Sequence, residues 1–213
     1  MQHILKKLVS PDCLLSRTDA LSSPPQVPAA NGLYAWFFRN APDIVPTQDC
    51  TTLDDLVLLY VGISPFRAPS RSNLRKRIRQ HYTSDAYGST LRQTLGVLLA
   101  EQSGFPLRRV GNGKRMTLTH LGEQWLDRWM EQNAFVTCVE NPEPWLIEEE
   151  VFQRLSLPLN IQGNQHHAFS STLKRLRIDA NARARELPVI NQTGQTRRRP
   201  SDATGRTNIA TTG

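Results

Sequence analysis

Arg77 and His81 stand four residues apart in LRKRIRQHY. At helical spacing they share one face with Leu74 and Ile78. That row should bury carbon, yet half of it is titratable. Glu148 repeats the pattern. It falls in line with Val151, Phe152 and Leu155, while Glu149 and Glu150 turn away. Tyr34 and Tyr60 are a third oddity, each close to a glycine in an otherwise apolar stretch, GLYAWFF and LLYVGIS. A buried carboxylate is costly unless it is paired or holds a metal. Together these groups supply a proton acceptor, a cation for a developing oxyanion and one hard oxygen ligand for a divalent ion. That set suits hydrolysis of a phosphodiester. One carboxylate is too few for a protein-held metal pair, and no spaced carboxylates point to a glycosidic bond. Each feature also has a plain structural reading. Arg77 can carry its head out past its neighbours, His81 is tolerated at a helix end, and Glu148 can pair with Arg77 or sit at the edge of the core.

Holding these side chains requires strands at 32–38 and 56–63, apolar on both faces and therefore central in a sheet. A third strand is expected at 135–139. Periodicity predicts a helix over 74–82, with Ser72 or Asn73 as its N-cap. Further helices are expected over 91–101 (Leu91, Leu95, Leu98 and Leu99 inward), 121–132 (Leu121, Trp125, Trp129 and Met130 inward), 144–155 and 171–185. PLRRVGNGKRMTL reads as a hairpin around Gly111-Asn112-Gly113. The first two strands follow each other too directly for a doubly wound sheet. The expected class is α+β with a small, mainly antiparallel sheet. The expected organisation is an N-terminal extension over 1–30, a domain over 31–186 with a hairpin-helix insertion at 105–132, and a basic tail over 187–213. The tail's Thr, Arg, Gly and Asn content predicts disorder.

The chain has 213 residues, 38% of them hydrophobic, enough for one domain with a real core. No run of about 18 apolar residues is present, so no membrane partner is expected. MQHILKKLVSPDCLLS does not read as a signal peptide. Cys13, Cys50 and Cys138 are scattered, which argues against a disulfide framework or a zinc site and for a reducing, cytoplasmic setting. The net charge is +7, and nine basic residues against three acids lie from position 172 onward. The rest is nearly neutral but uneven. Between Asp55 and Asp85 come Arg67, Arg71, Arg75, Lys76, Arg77 and Arg79 with no acid; between Glu101 and Glu123 come Arg108, Arg109, Lys114 and Arg115, again with none. Such local basic fields favour a polyanion.

The series of elements resembles the GIY-YIG nuclease superfamily. Gly32-Leu33-Tyr34 is similar to the first signature and Tyr60-Val61-Gly62 to the second. Arg77 and His81 match the family's helix, Glu148 its catalytic glutamate, and Asn160 the asparagine twelve residues further on. Tyr34 and Tyr60 lie further apart than is usual there. The resemblance implies a small sandwich around a three-stranded antiparallel sheet and a Mg²⁺- or Mn²⁺-dependent endonuclease acting on DNA, RNA not being excluded, with a restriction- or defence-like role expected. It also implies Tyr34, Tyr60, Arg77, His81, Glu148 and Asn160 as catalytic residues, with Glu148 holding the metal. Tyr34 or Tyr60 would be the general base. Arg71, Arg75, Lys76, Arg79, Arg108, Arg109, Lys114 and Arg115 are the expected nucleic-acid contacts. The competing expectations are a nucleic-acid-binding protein that no longer cuts, and an unrelated α+β interaction protein.

Overall fold

The computed structural model describes residues 2–190. Its centre is an antiparallel sheet of four strands: β1 (Gly32–Phe38), β2 (Thr52–Leu53), β3 (Leu56–Ser64) and β6 (Ala134–Glu140), in the order β2-β3-β1-β6. The expected three strands are its contiguous β3, β1 and β6. The two-residue β2, too short for any periodicity, adds the fourth. A separate hairpin pairs β4 (Arg108–Val110) with β5 (Arg115–Thr117). Gly111 and Gly113 take positive φ in its turn, at 61° and 79°.

Every residue of β1 is buried. Alternation divides them between two faces. Tyr34, Trp36 and Phe38 pack with Leu74, Ile78 and Tyr82 of α3 (Leu74–Thr83), Leu91 and Leu95 of α4 (Thr90–Leu98), and Met130 of α6 (His120–Asn133). Leu33, Ala35 and Phe37 face the other way, towards Leu8 of α1 (Gln2–Val9) and Val151 and Phe152 of α7 (Glu148–Arg154).

Strand β3 departs from strict alternation. Trp36 is opposite Tyr60 but Phe37 is opposite Leu58, so Leu59 is the extra residue of a bulge. A one-residue slip moves side chains to the opposite face. Tyr60, two residues from Gly62 in the regular part of the register, shares the face of Tyr34, and the bulge turns Leu58 to the other face. Both borders of the sheet are occupied at mid-length. Leu15 exchanges two backbone hydrogen bonds with Val136 of β6, at 2.8 and 2.9 Å. On β3, Leu159 N donates to Leu59 O at 3.1 Å.

The N-terminal segment packs against the core: Leu8, Ala20 and Val27 are buried, and α2 (Arg17–Ala20) closes on a Ser16–Asp19 capping box. Several expectations need correction. The helix over 91–101 breaks at Leu99 into α4 and α5 (Ala100–Ser103). The one over 144–155 is a 3-10 turn, Pro144–Leu146, followed by α7. Leu121 is 60% exposed rather than inward, because Gly122 and Glu123 take the inner positions at the start of α6. A Cβ on Gly122 would crowd Phe105 and Leu118. The disordered tail does not begin at 187: Ile190 bridges in parallel to Val110, and Arg108 and Arg109 donate to the carbonyls of Pro188 and Leu187. These four residues follow α8 (Ser170–Glu186) and use the hairpin's free border. The remainder of the tail expectation lies outside the described residues.

Candidate active site

A cleft of about 390 Å³ opens along the part of β3 that has no neighbouring strand beyond β2. Tyr34, Tyr60, Arg77, Glu148 and Asn160 all line it. Helices α3 and α7 pack on opposite faces of the sheet, yet Arg77 and Glu148 reach the same cleft because it wraps this border.

Tyr34 is 1% exposed and lies across from Gly62 on β3. A Cβ on Gly62 would overlap the Tyr34 hydroxyl, so the glycine is what lets the phenol lie there. Gly32 serves a different contact: a Cβ there would strike the Val139 carbonyl on β6. Tyr34 Oη lies 2.9 Å from His81 Nε2, and Arg77 Nε donates to it at 3.3 Å. His81 Nδ1 meets Ser89 Oγ at 2.8 Å. Ser89 is the N-cap of α4 and also accepts from Arg92 N at 3.2 Å. Arg77 Nη1 donates to Gln80 Oε1 at 3.0 Å, and Gln80 Nε2 to the Gly88 carbonyl at 2.6 Å.

Burial raises the Tyr34 pKa, and Arg77 partly opposes that rise. Tyr60 is held further above the ordinary phenol value, by burial and then by the charge of Tyr34. His81 is completely buried, and its pKa falls well below the usual imidazole value through burial and then Arg77 and Arg92. In the resting protein at neutral pH, the phenols and the imidazole are all uncharged. Burial works against the Arg77 charge, but the two tyrosines more than restore it.

Asn160 has a supporting position. Its Nδ2 donates to Val61 O at 2.7 Å and its Oδ1 accepts from Val61 N at 3.0 Å. The side chain thus mimics one residue of a neighbouring strand and anchors the loop after α7 to β3. His166 and His167 knit that same loop, to Phe152 O at 3.1 Å and Ser156 Oγ at 3.0 Å.

None of the eight other basic candidates lines the cleft. Arg71, Lys76 and Arg79 are exposed on or just before α3, and Lys114 in the hairpin turn. Arg75 Nε is directed at Val27 O, 2.7 Å away. Arg108 and Arg109 hold the chain at 187–188, and Arg115 pairs with Asp85. Sequence reasoning missed Gln80, Ser89 and Thr90. The signals were available: Gln80 lies three residues after Arg77 on one helix face, and Ser89 precedes a helix as an N-cap.

Residues 32–179 match the family model of the GIY-YIG catalytic domain. The chain belongs to the GIY-YIG family. No curated protein and no solved structure matches it. The GIY-YIG domain brings nuclease chemistry and with it a nucleic-acid substrate. Nucleases of the family generally require a divalent metal. The donor set fits one kind of ion. Glu148 is half-buried, burial alone raises its pKa, and it forms no ion pair among the described residues. Among the described residues no cluster of three or more His, Cys, Asp or Glu could cage a metal. A lone carboxylate in a GIY-YIG cleft suits a hard cation that keeps water and substrate oxygens as its other ligands.

Proposed function

We propose that this chain is a magnesium-dependent endonuclease that hydrolyses phosphodiester bonds in DNA. The observation that carries this is the convergence of Tyr34, Arg77 and Glu148 on one cleft with no ion pair between the guanidinium and the carboxylate. Glu148 would hold Mg²⁺ or Mn²⁺, which when bound supplies Lewis-acid stabilisation of the phosphate and the departing 3′ oxygen.

Arg77 neutralises charge that develops on the non-bridging oxygens. Tyr34 is the general base rather than Tyr60, because its hydroxyl meets the neutral His81 imidazole, which can take its proton. The attacking water gives a proton to Tyr34 Oη as the phenol passes its own proton to His81 Nε2. The water oxygen forms the new bond to phosphorus, the bond to the 3′ oxygen breaks, and solvent protonates that oxygen. His81 can accept because it rests uncharged. In this tautomer its Nδ1–H points at Ser89 Oγ. Tyr60, held neutral more strongly, orients the phenol and the incoming water.

Supercoiled plasmid, incubated with the chain and Mg²⁺, is expected to be nicked, and EDTA to stop the reaction. Glu148→Ala should abolish cleavage while DNA binding persists. Cleavage retained by that variant removes the metal assignment. Cleavage of RNA panels but not DNA panels would change the substrate class.

A further inference from the structure

The reacting phenols lie deep: Tyr34 is 1% exposed and Tyr60 8%. A phosphate must enter a cleft of about 390 Å³ to reach them. At the mouth stands Phe66, which lines the cleft and is 59% exposed. A flat apolar ring standing in water beside a polar site offers a face to a planar group. Its loop is closed at the base. Ser64 Oγ and Ser72 Oγ meet at 3.0 Å, Ser72 N donates to Ser70 Oγ at 3.1 Å, and Lys76 Nζ donates to Arg71 O at 2.8 Å. Arg67 and Arg71 on the same loop are exposed, and no acid lies between Asp55 and Asp85. The rest of the rim is neutral and hydrogen-bonding, with Ser70, Ser72, Thr90 and Gln162.

We propose that Phe66 is a stacking platform for the base of a nucleotide flanking the scissile phosphate, and that this nucleotide leaves the helical stack when its phosphate enters the cleft. The inference rests on the nuclease reading above. It deepens that reading by making an unstacked nucleotide part of the substrate. The base exchanges its stacking neighbours for the phenyl ring, which offsets part of the cost of unstacking. Every base has a π-face, so the contact is tolerant of sequence. Arg67 and Arg71 would flank the backbone on either side of the extruded nucleotide.

The test is a double cycle. After cleavage ends are mapped, oligonucleotides are made with an abasic nucleotide on either side of the cut. Native chain, Phe66→Ala and Phe66→Trp are compared by kcat/KM. On the intact substrate Phe66→Ala should be about five- to a hundredfold slower, the range expected for one lost base–aromatic stack. On the substrate that is abasic at the stacked position the same variant should match the native chain. Phe66→Trp should retain activity on the intact substrate. An equal penalty on intact and abasic substrates, or no penalty on either, overturns the proposal. Phe66 is largely in water, so an unchanged Tm is expected for both variants, and a Tm loss in Phe66→Ala that accounts for the slower rate also overturns it. Failure of the native chain to cut any nucleic acid overturns the nuclease reading itself, a different outcome from cutting that ignores Phe66.

Discussion

Two of this small molecule's guanidinium–carboxylate groupings are built in opposite ways. Arg92 is completely buried, with Nη2 2.6 Å from Glu123 and Nη1 2.8 Å from Asp127. Glu123 also accepts from Ala86 N at 2.8 Å and Thr117 Oγ1 at 2.6 Å. Arg77 and Glu148 share a cleft but form no ion pair, and Arg77 binds a phenol and an amide instead. The first grouping satisfies itself and ties α4, α6 and the hairpin together. The second leaves its charges for something else to complete. Burial of a charge is tolerated in both, for different reasons: partners in one, solvent access and an incoming ligand in the other.

The contrast can be broken most severely at Arg77. Arg77→Ala should lower the cleavage rate by about 10³- to 10⁵-fold, as removal of a cation from a transferring phosphoryl group does, with little change in Tm. A raised KM with kcat intact would show that the residue acts in binding alone. Glu123→Ala should instead cost about 3–5 kcal/mol of stability in a denaturant titration, because it strips the nearer carboxylate from a buried guanidinium. A loss below 1 kcal/mol would mean that Asp127 suffices. Glu148→Gln is expected to leave stability unchanged or slightly raised at neutral pH, measured by Tm. Its folded pKa is raised, so the charged carboxylate is disfavoured in the fold as pH rises through that pKa. A clear drop in Tm would make Glu148 a structural residue like Glu123. The smallest effect is a slope. His81 has a lowered folded pKa, so below about pH 6.5 the unfolded chain binds a proton that the folded chain refuses. Stability should fall as pH drops from there towards the folded pKa, and His81→Asn should flatten that part of the curve.

Helical phase alone was enough to turn Arg77, His81 and Glu148 towards the interior, because each stands among apolar residues at three- and four-residue spacing. The same reasoning failed at Glu123. On paper it is a surface glutamate beside an apparently inward Leu121. Only the contact of Gly122 with Phe105 and Leu118 fixes which side of α6 is buried. The bulge at Leu59 was illegible for another reason: LLYV is apolar throughout, so the alternation that would reveal an extra residue is missing. Asn160 was identified through the family resemblance, but its contact with the Val61 backbone depends on which border of β3 lies open, a fact of topology. The N-terminal helices went unread because a short amphipathic segment has little periodicity, and its docking on β6 is tertiary.

The amide of Asn160 has one more consequence. By occupying the Val61 N–H and C=O, with Leu159 beside it and Leu15 across the molecule on Val136, it covers the middle of borders on which a foreign strand could otherwise grow. Displacing that loop should therefore bare the Val61 row and make concentrated solutions more prone to fibre formation.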